Sequence, residues 1–228
     1  MTRRQDRPAQ RRPGPAAHSE EAMTDTAAIA RAFETIYRAD SWSHGSGPGS
    51  RPVNTIAYRA FLERFIAENR VATVTELGCG DWQFSRLIDW SGVTYTGFDV
   101  VESVITRNLA RYWRDTVDFR LLTRIEDLPG GDLLLAKEVL QHLPLGVIRA
   151  YLPVIRSRYR FALITNTDKP EDGLNGEIEP GGYRPLRLDR PPFDLPGAVV
   201  LTYCPQTETG MWRNSVFLTF GTGGGNPA

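Results

Sequence analysis

The sequence has little cysteine, little lysine and no long apolar run. Its two cysteines, Cys79 and Cys204, lie far apart in the chain. That excludes a disulfide scaffold and a cysteine zinc site, and makes the reducing cytoplasm the expected compartment. Lysine occurs only at Lys137 and Lys169, and 27 basic residues balance 27 acidic ones. With no basic excess to displace counterions, nucleic acid is not the expected partner. No stretch approaches the roughly 20 apolar residues that cross a bilayer, so no membrane span is expected. Paired carboxylates, metal-ligand clusters and a nucleophile elbow are also missing, which disfavours hydrolases and metal sites.

What is present suits one soluble α/β domain: 228 residues, 41% hydrophobic and 24% charged. Residues 1–25, rich in Arg, Pro, Ala and Gln, read as a disordered arm with no secretion-signal core. Met23 marks an alternative start. Residues 26–40 have helical spacing, with Ile29, Phe33, Ile36 and Tyr37 on one face. A second helix is expected over 55–69, with Ile56, Phe61, Leu62, Phe65 and Ile66 turned inward. Between them lies a Gly/Ser loop, bracketed by Trp42 and Arg51 and too short for a spacer.

The chain is organised around Val-Thr-Glu-Leu-Gly-Cys-Gly-Asp-Trp at 74–82. Val71, Val74 and Leu77 suit a buried strand, and Gly78 and Gly80 supply a turn. A helix over 82–90, packing Phe84, Leu87 and Ile88, is expected next, so the turn should present N–H groups beside a helix N-terminus. Twenty-one residues after Gly78, the apolar run at 93–98 ends at Asp99. At that spacing a carboxylate on the second strand reaches a ribose diol. The third glycine of the dinucleotide fingerprint is absent, because Gln83 stands in its place. A nicotinamide or flavin enzyme is therefore disfavoured.

Further alternation follows: a helix over 102–114 with Val104, Ile105, Leu109 and Tyr112 as its core face, and strands at 118–122, 132–136 and 161–165 separated by a helix at 145–156. The strand at 132–136 delivers Lys137 and then Glu-Val-Leu-Gln-His-Leu-Pro at its carboxyl end, where ligands of open α/β sheets bind. The polar stretch at 166–196 is longer than a connection needs and reads as a functional loop or lid. Two closing runs, 199–203 and 215–220, read as an antiparallel hairpin, followed by a glycine tail at 221–228.

Taken together, residues from about 26 to 220 resemble a class I S-adenosylmethionine (SAM)-dependent methyltransferase. The resemblance is carried by Glu-Leu-Gly-Cys-Gly at 76–80, Gly-Phe-Asp at 97–99, the segment from Asp132 to Pro144 and the closing hairpin. More narrowly, the chain is similar to a small bacterial group. That group joins Ser-Gly-Pro-Gly-Ser (46–50), Gly-Cys-Gly-Asp-Trp (78–82) and Tyr-Arg-Pro-Leu followed by Pro-Pro-Phe-Asp-Leu-Pro (183–196). Trp82 replaces the third glycine of the common motif, and Thr123, Arg124 and Glu126 stand where an Asp usually contacts adenine.

The resemblance implies a Rossmann-like, mostly parallel sheet under an N-terminal helical cap at 26–70, with SAM as cofactor and S-adenosylhomocysteine (SAH) as product. It implies a cofactor site of Glu76, Gly78, Cys79, Gly80, Trp82, Asp99 and Val100, with Lys137 near the sulfonium. Arg51 and the 166–196 loop would line the acceptor pocket.

Methyl transfer is an in-line displacement in which positioning does most of the work, and a base is needed only for a weakly acidic acceptor. His142 is the candidate base, against a structural role in packing or backbone bonding. Lys137 either orients the acceptor or pairs with Glu138 or Asp99. Arg51, Lys169, Arg184 and Arg187 together would make a cationic pocket, with Trp42 to stack on the acceptor. Cys79 reads as a small filler. The expected reaction is methylation of an oxygen or nitrogen on a small polar molecule, in its sharpest form an anionic one, by a monomer or homodimer. The rival expectations are an RNA methyltransferase and a SAM-binding protein without catalysis.

Overall fold

The continuous apolar runs become five parallel strands. These are β1 (Thr73–Leu77), β2 (Thr94–Asp99), β3 (Val117–Leu121), β4 (Gly131–Lys137) and β5 (Tyr159–Thr167). The computed structural model describes residues 15–168, 173–207 and 210–221. Strands β6 (Ala198–Tyr203) and β9 (Asn214–Phe220) complete a seven-stranded sheet of order β3-β2-β1-β4-β5-β9-β6. Strand β9 runs antiparallel to both β5 and β6, and a small hairpin of β7 (Gln206–Thr207) and β8 (Gly210–Met211) interrupts the connection. The α/β sheet with its antiparallel ending is the one expected. Winding reverses between β1 and β4, so their carboxyl ends part to form a crevice.

Strand periodicity sorts the core onto two faces. Along β4, Leu134 and Ala136 join one cluster while Leu133 and Leu135 join the other. Helix α1 (Pro15–Arg38) and helix α4 (Leu145–Arg158) cover the first face through Ile29, Phe33, Ile148 and Ile155. Helix α2 (Ile56–Glu68) covers the second through Tyr58, Leu62, Phe65 and Ile66. Helix α3 (Glu102–Tyr112) splits its contacts, Val104 to one face and Ile105 to the other.

Several expectations are corrected. Helix α1 begins at Pro15, eleven residues before the expected start, so the arm expected over 1–25 is helical from there. Residues 1–14 and 222–228 lie outside the described residues. Of helices α1 and α2, α1 reaches the crevice and α2 packs on the far face, so they do not form one cap. Ile56 and Leu109, expected in the core, are exposed.

No α-helix follows β1. Residues 82–90 give a single 3-10 turn, Ser85–Leu87, because Trp82 sits at φ 59, a left-handed conformation that cannot begin a right-handed helix. Leu87 is consequently exposed. The expected lid is also different. Strand β5 extends to Thr167, and Leu186, Leu188 and Leu195 are buried in the first core cluster. Asn175 ties the segment together by donating to the carbonyls of Arg187 and Pro191 at 2.8 Å. From residue 173 on the segment is anchored through these residues, while Tyr183 lines the crevice and stays 47% exposed.

Candidate active site

The glycine turn is a closed piece of backbone. The N–H groups of Gly78 and Cys79 both donate to Phe98 O, at 2.7 and 3.0 Å. The Gly80 N–H donates to Asp99 Oδ2 at 3.0 Å, and the Asp81 N–H to Ser46 Oγ at 3.0 Å. All four donors are used, and no helix N-terminus stands behind them. The turn is therefore not an anion cradle, which corrects the sequence expectation and leaves a pyrophosphate nothing to bind. Gly78 and Gly80 have φ of 69 and 53, and a Cβ would strike Val139 at the first and Ser46 at the second.

Above the turn, a cavity of about 240 Å³ runs along the carboxyl ends of the strands. At the β2 and β3 end it is lined by Asp99, Val100 and Leu122. Asp99 is buried and accepts from the N–H groups of Gly80 and Val101, both at 3.0 Å. Burial nevertheless outweighs those bonds and pushes its pKa up to about 6. Cys79, also in the lining, is a buried thiol with its pKa raised by burial and then by the neighbouring Asp99, so it is a filler.

At the β4 end, Lys137 and Glu138 face the cavity as an ion pair. Lys137 Nζ also donates to Gly49 O at 2.8 Å and lies 5.2 Å from the centre of the Phe84 ring. Glu138 Oε1 accepts from Asn214 Nδ2 at 3.0 Å, and its backbone is left-handed at φ 56. Burial pushes this carboxyl up, but the charge and hydrogen bond of Lys137, with help from Asn214, hold it below its ordinary value. Of the two roles open to Lys137, it takes the pairing one. A left-handed glutamate costs of order 1–3 kcal/mol and persists where its surroundings over-determine it.

The Gly/Ser loop forms part of the wall. Ser46 Oγ donates to Asp81 Oδ1 at 2.6 Å and lies 2.8 Å from Tyr37 Oη, while Gln83 Nε2 donates to His44 O at 2.5 Å. The Ser-Gly-Pro-Gly-Ser and Gly-Cys-Gly-Asp-Trp segments are thus two halves of one contact. Tyr37, Trp42, Ser46 and Asp81 all line the cavity.

His142 lines the far side. Its Nδ1 is 2.7 Å from Gly182 O, so Nδ1 carries the proton, and the Nε2 lone pair faces the Gln141 amide nitrogen at 3.4 Å. Burial lowers its pKa below 6.5, and Arg184 adds to this; the Gly182 carbonyl and Glu138 oppose it without prevailing. Its ring is 5.1 Å from that of Trp42 and 6.0 Å from that of Tyr183, which in turn stacks with Trp212.

Of the expected site residues, the cavity brings together Trp42, Gly78, Cys79, Gly80, Asp99, Val100, Lys137 and His142. Glu76 and Trp82 are not in its lining. Glu76 shares the parity of Val74 and faces the second core cluster, where Ser85 Oγ at 2.8 Å and Tyr95 donate to it. Burial raises its pKa to about 7. Trp82 is packed among Tyr95, Tyr112 and Phe119. Its φ keeps the shape a third glycine would give, while its indole fills the core.

The cationic pocket does not assemble. Arg187 is paired with Asp168 and Asp189, and neither Arg51 nor Arg184 is in the lining. Arg184 is buried, donating to Gln141 O at 3.2 Å. Lys169 lies outside the described residues. Thr123 and Arg124 are bound to Asp127, and Leu122 takes the place beside the cavity. The sequence reading missed Tyr37, Ser46, Asp81, Glu138 and Tyr183. The adjacency of Glu138 to Lys137 offered their pairing but not its place in the wall; Tyr37 belongs to helix α1, and the other three come from loops whose docking no local pattern shows.

No family model matches the chain, and no curated protein matches it. Solved structures do. A 1,6-didemethyltoxoflavin N1-methyltransferase of Burkholderia thailandensis, with 1,6-didemethyltoxoflavin and SAH bound, is 19% identical over 93% of both chains, TM-score 0.61. The fold is that of the SAM-dependent methyltransferases. DhpI in complex with SAH is 17% identical, covering 87% of this chain and 98% of its own, TM-score 0.56. The magnesium protoporphyrin IX methyltransferase ChlM of Synechocystis PCC 6803 with bound SAH is 16% identical, covering 71% and 82%, TM-score 0.52. Within this methyltransferase fold, the donor set fits an adenosyl sulfonium. A buried carboxylate stands at the end of β2, an apolar wall flanks it, and the turn has no donor left for phosphate.

Proposed function

We propose that this protein is a SAM-dependent methyltransferase acting on an oxygen or nitrogen of a small molecule. The observation that carries the reading is Asp99: a buried carboxylate lining a cavity whose glycine turn has every N–H already bonded. Such a turn suits a nucleoside joined to an amino acid and is wrong for a dinucleotide.

Asp99 holds the ribose hydroxyls, Val100 and Leu122 flank the adenine, and the wall of Gly78, Cys79 and Gly80 lies along the methionine portion. When bound, SAM supplies a methyl group already activated by the sulfonium. The chain's share of the chemistry is therefore alignment and exclusion of water. Lys137 keeps Glu138 ionised and fixes the loop through Gly49 O, so the one ammonium among the described lining residues is neutralised by its partner. His142, neutral and with its lone pair on Nε2, accepts the proton that an O–H or N–H acceptor gives up. Helix α1 and the 40–51 loop wall the cavity on one side. The acidic lining offers nothing to a nucleic-acid phosphate, which speaks against an RNA acceptor.

Incubation with methyl-labelled SAM and a small-metabolite extract tests this. Labelled product in the small-molecule fraction is the expected result. Label only in RNA, or none at all, would overturn it.

A further inference from the structure

We infer that the acceptor is a flat aromatic ring that carries an N–H or O–H and no anionic group. The assignment rests on the methyltransferase reading above and deepens it. Two features of the cavity carry it, one of shape and one of charge.

The sheet order sets the shape. Reading from β3 to β6, the cavity passes the ends of β2 and β1 before it reaches β4, so the part beyond Glu138 lies past the cofactor end. Four rings from four separate segments line that part: Trp42, His142, Tyr183 and Trp212. Their centroids follow one another at 5.1 Å (Trp42 to His142), 6.0 Å (His142 to Tyr183) and 6.3 Å (Tyr183 to Trp212, stacked at 27°). Phe33 braces Trp42 edge-on at 5.6 Å. Rings gathered from distant parts of a chain at a cavity wall favour a ligand with π faces, because such pairs gain beyond their apolar area.

Charge excludes the anionic alternative. Asp81, Asp99 and Glu138 face the cavity, against Lys137 as the one ammonium among the described lining residues. Lys137 is spent on Glu138, and Arg187 is spent on Asp168 and Asp189. Arg184 is buried behind the wall. SAM brings one net positive charge, which this excess of carboxylates suits. An acceptor carboxylate or phosphonate would meet a surplus of negative charge and, among the described lining residues, no cation that is not already paired. The anionic acceptor expected from the four basic residues is therefore replaced.

Binding tests this without turnover. SAH is titrated first, and the SAH-saturated protein then receives naphthol, decahydronaphthol and naphthoate, substituted at one ring position, in a calorimeter. Naphthol should bind at least about tenfold more tightly than its saturated or its anionic counterpart. Tyr183→Ala, at a side chain 47% exposed and so tolerant of truncation, should weaken naphthol about fivefold and leave SAH within twofold. Equal binding of naphthol and decahydronaphthol, or tighter binding of naphthoate, overturns the assignment while the cofactor reading stands. Failure to bind SAH at all removes the cofactor reading and the acceptor assignment together.

Discussion

Asp99 and Glu76 are both buried carboxyls, yet only Asp99 faces the cavity. The difference is a matter of strand parity, which the sequence displays, and of the loop that roofs the turn, which it does not. Burial raises Glu76 from 4.5 to about 7 and Asp99 from 3.8 to about 6, so the folded state favours their protonated forms. Their stabilising contribution is complete below the unfolded values and is lost as pH climbs through about 6 to 7. Glu76→Gln keeps an acceptor for Ser85 and removes the buried charge. It should raise the thermal midpoint at mildly alkaline pH by a few degrees and flatten its pH dependence; a fall of several degrees there would contradict this. His142 makes a kinetic prediction. With Gly182 O, Glu138 and Arg184 as the groups acting on it, its pKa lies below 6.5, so kcat/KM should rise with pH through an acidic midpoint and stay level above it. His142→Asn should lower kcat about a hundredfold or more and abolish that rise. An unchanged profile would assign the proton to another group.

At the scale of elements, β4 and β5 were legible as unbroken apolar runs, and β1 to β3 as apolar residues at strand spacing. The segment after β1 was not, since its conformation is decided by Trp82 at φ 59 and by Trp90 Nε1 donating to Ser85 O at 2.8 Å. Both are tertiary effects that override helical spacing. The same holds for the 40–51 loop, whose composition reads as a linker but whose Ser46 is bonded to Asp81 and Tyr37. Losing that hydroxyl strands the Asp81 N–H and leaves the carboxylate with Gln83 Nε2 as its donor, a local cost of about 1–3 kcal/mol. Ser46→Ala should therefore speed amide exchange across 40–51 and weaken SAH severalfold, with the global unfolding midpoint little changed. Unaltered exchange in that loop would show that the contact does not hold it down.

The whole molecule turns a neutral chain into a site with an uneven charge. Acids converge on the crevice between β1 and β4, whereas of the expected basic cluster Arg187 is ion-paired and Arg184 is buried outside the lining. The fold was legible because motif spacing fixes it along the chain, and with it the place of Gly78, Gly80 and Asp99 beside the cavity. The acceptor end was not, because its rings come from α1's neighbouring loop, the β4 end, the 168–197 segment and the approach to β9. Calorimetric titration of SAH into the protein and into Asp99→Ala tests the central claim most directly. One site per chain is expected, at least tenfold weaker in the variant, with the wild-type affinity falling as pH drops through about 6. No binding by the wild type, or equal binding by both proteins, would contradict it.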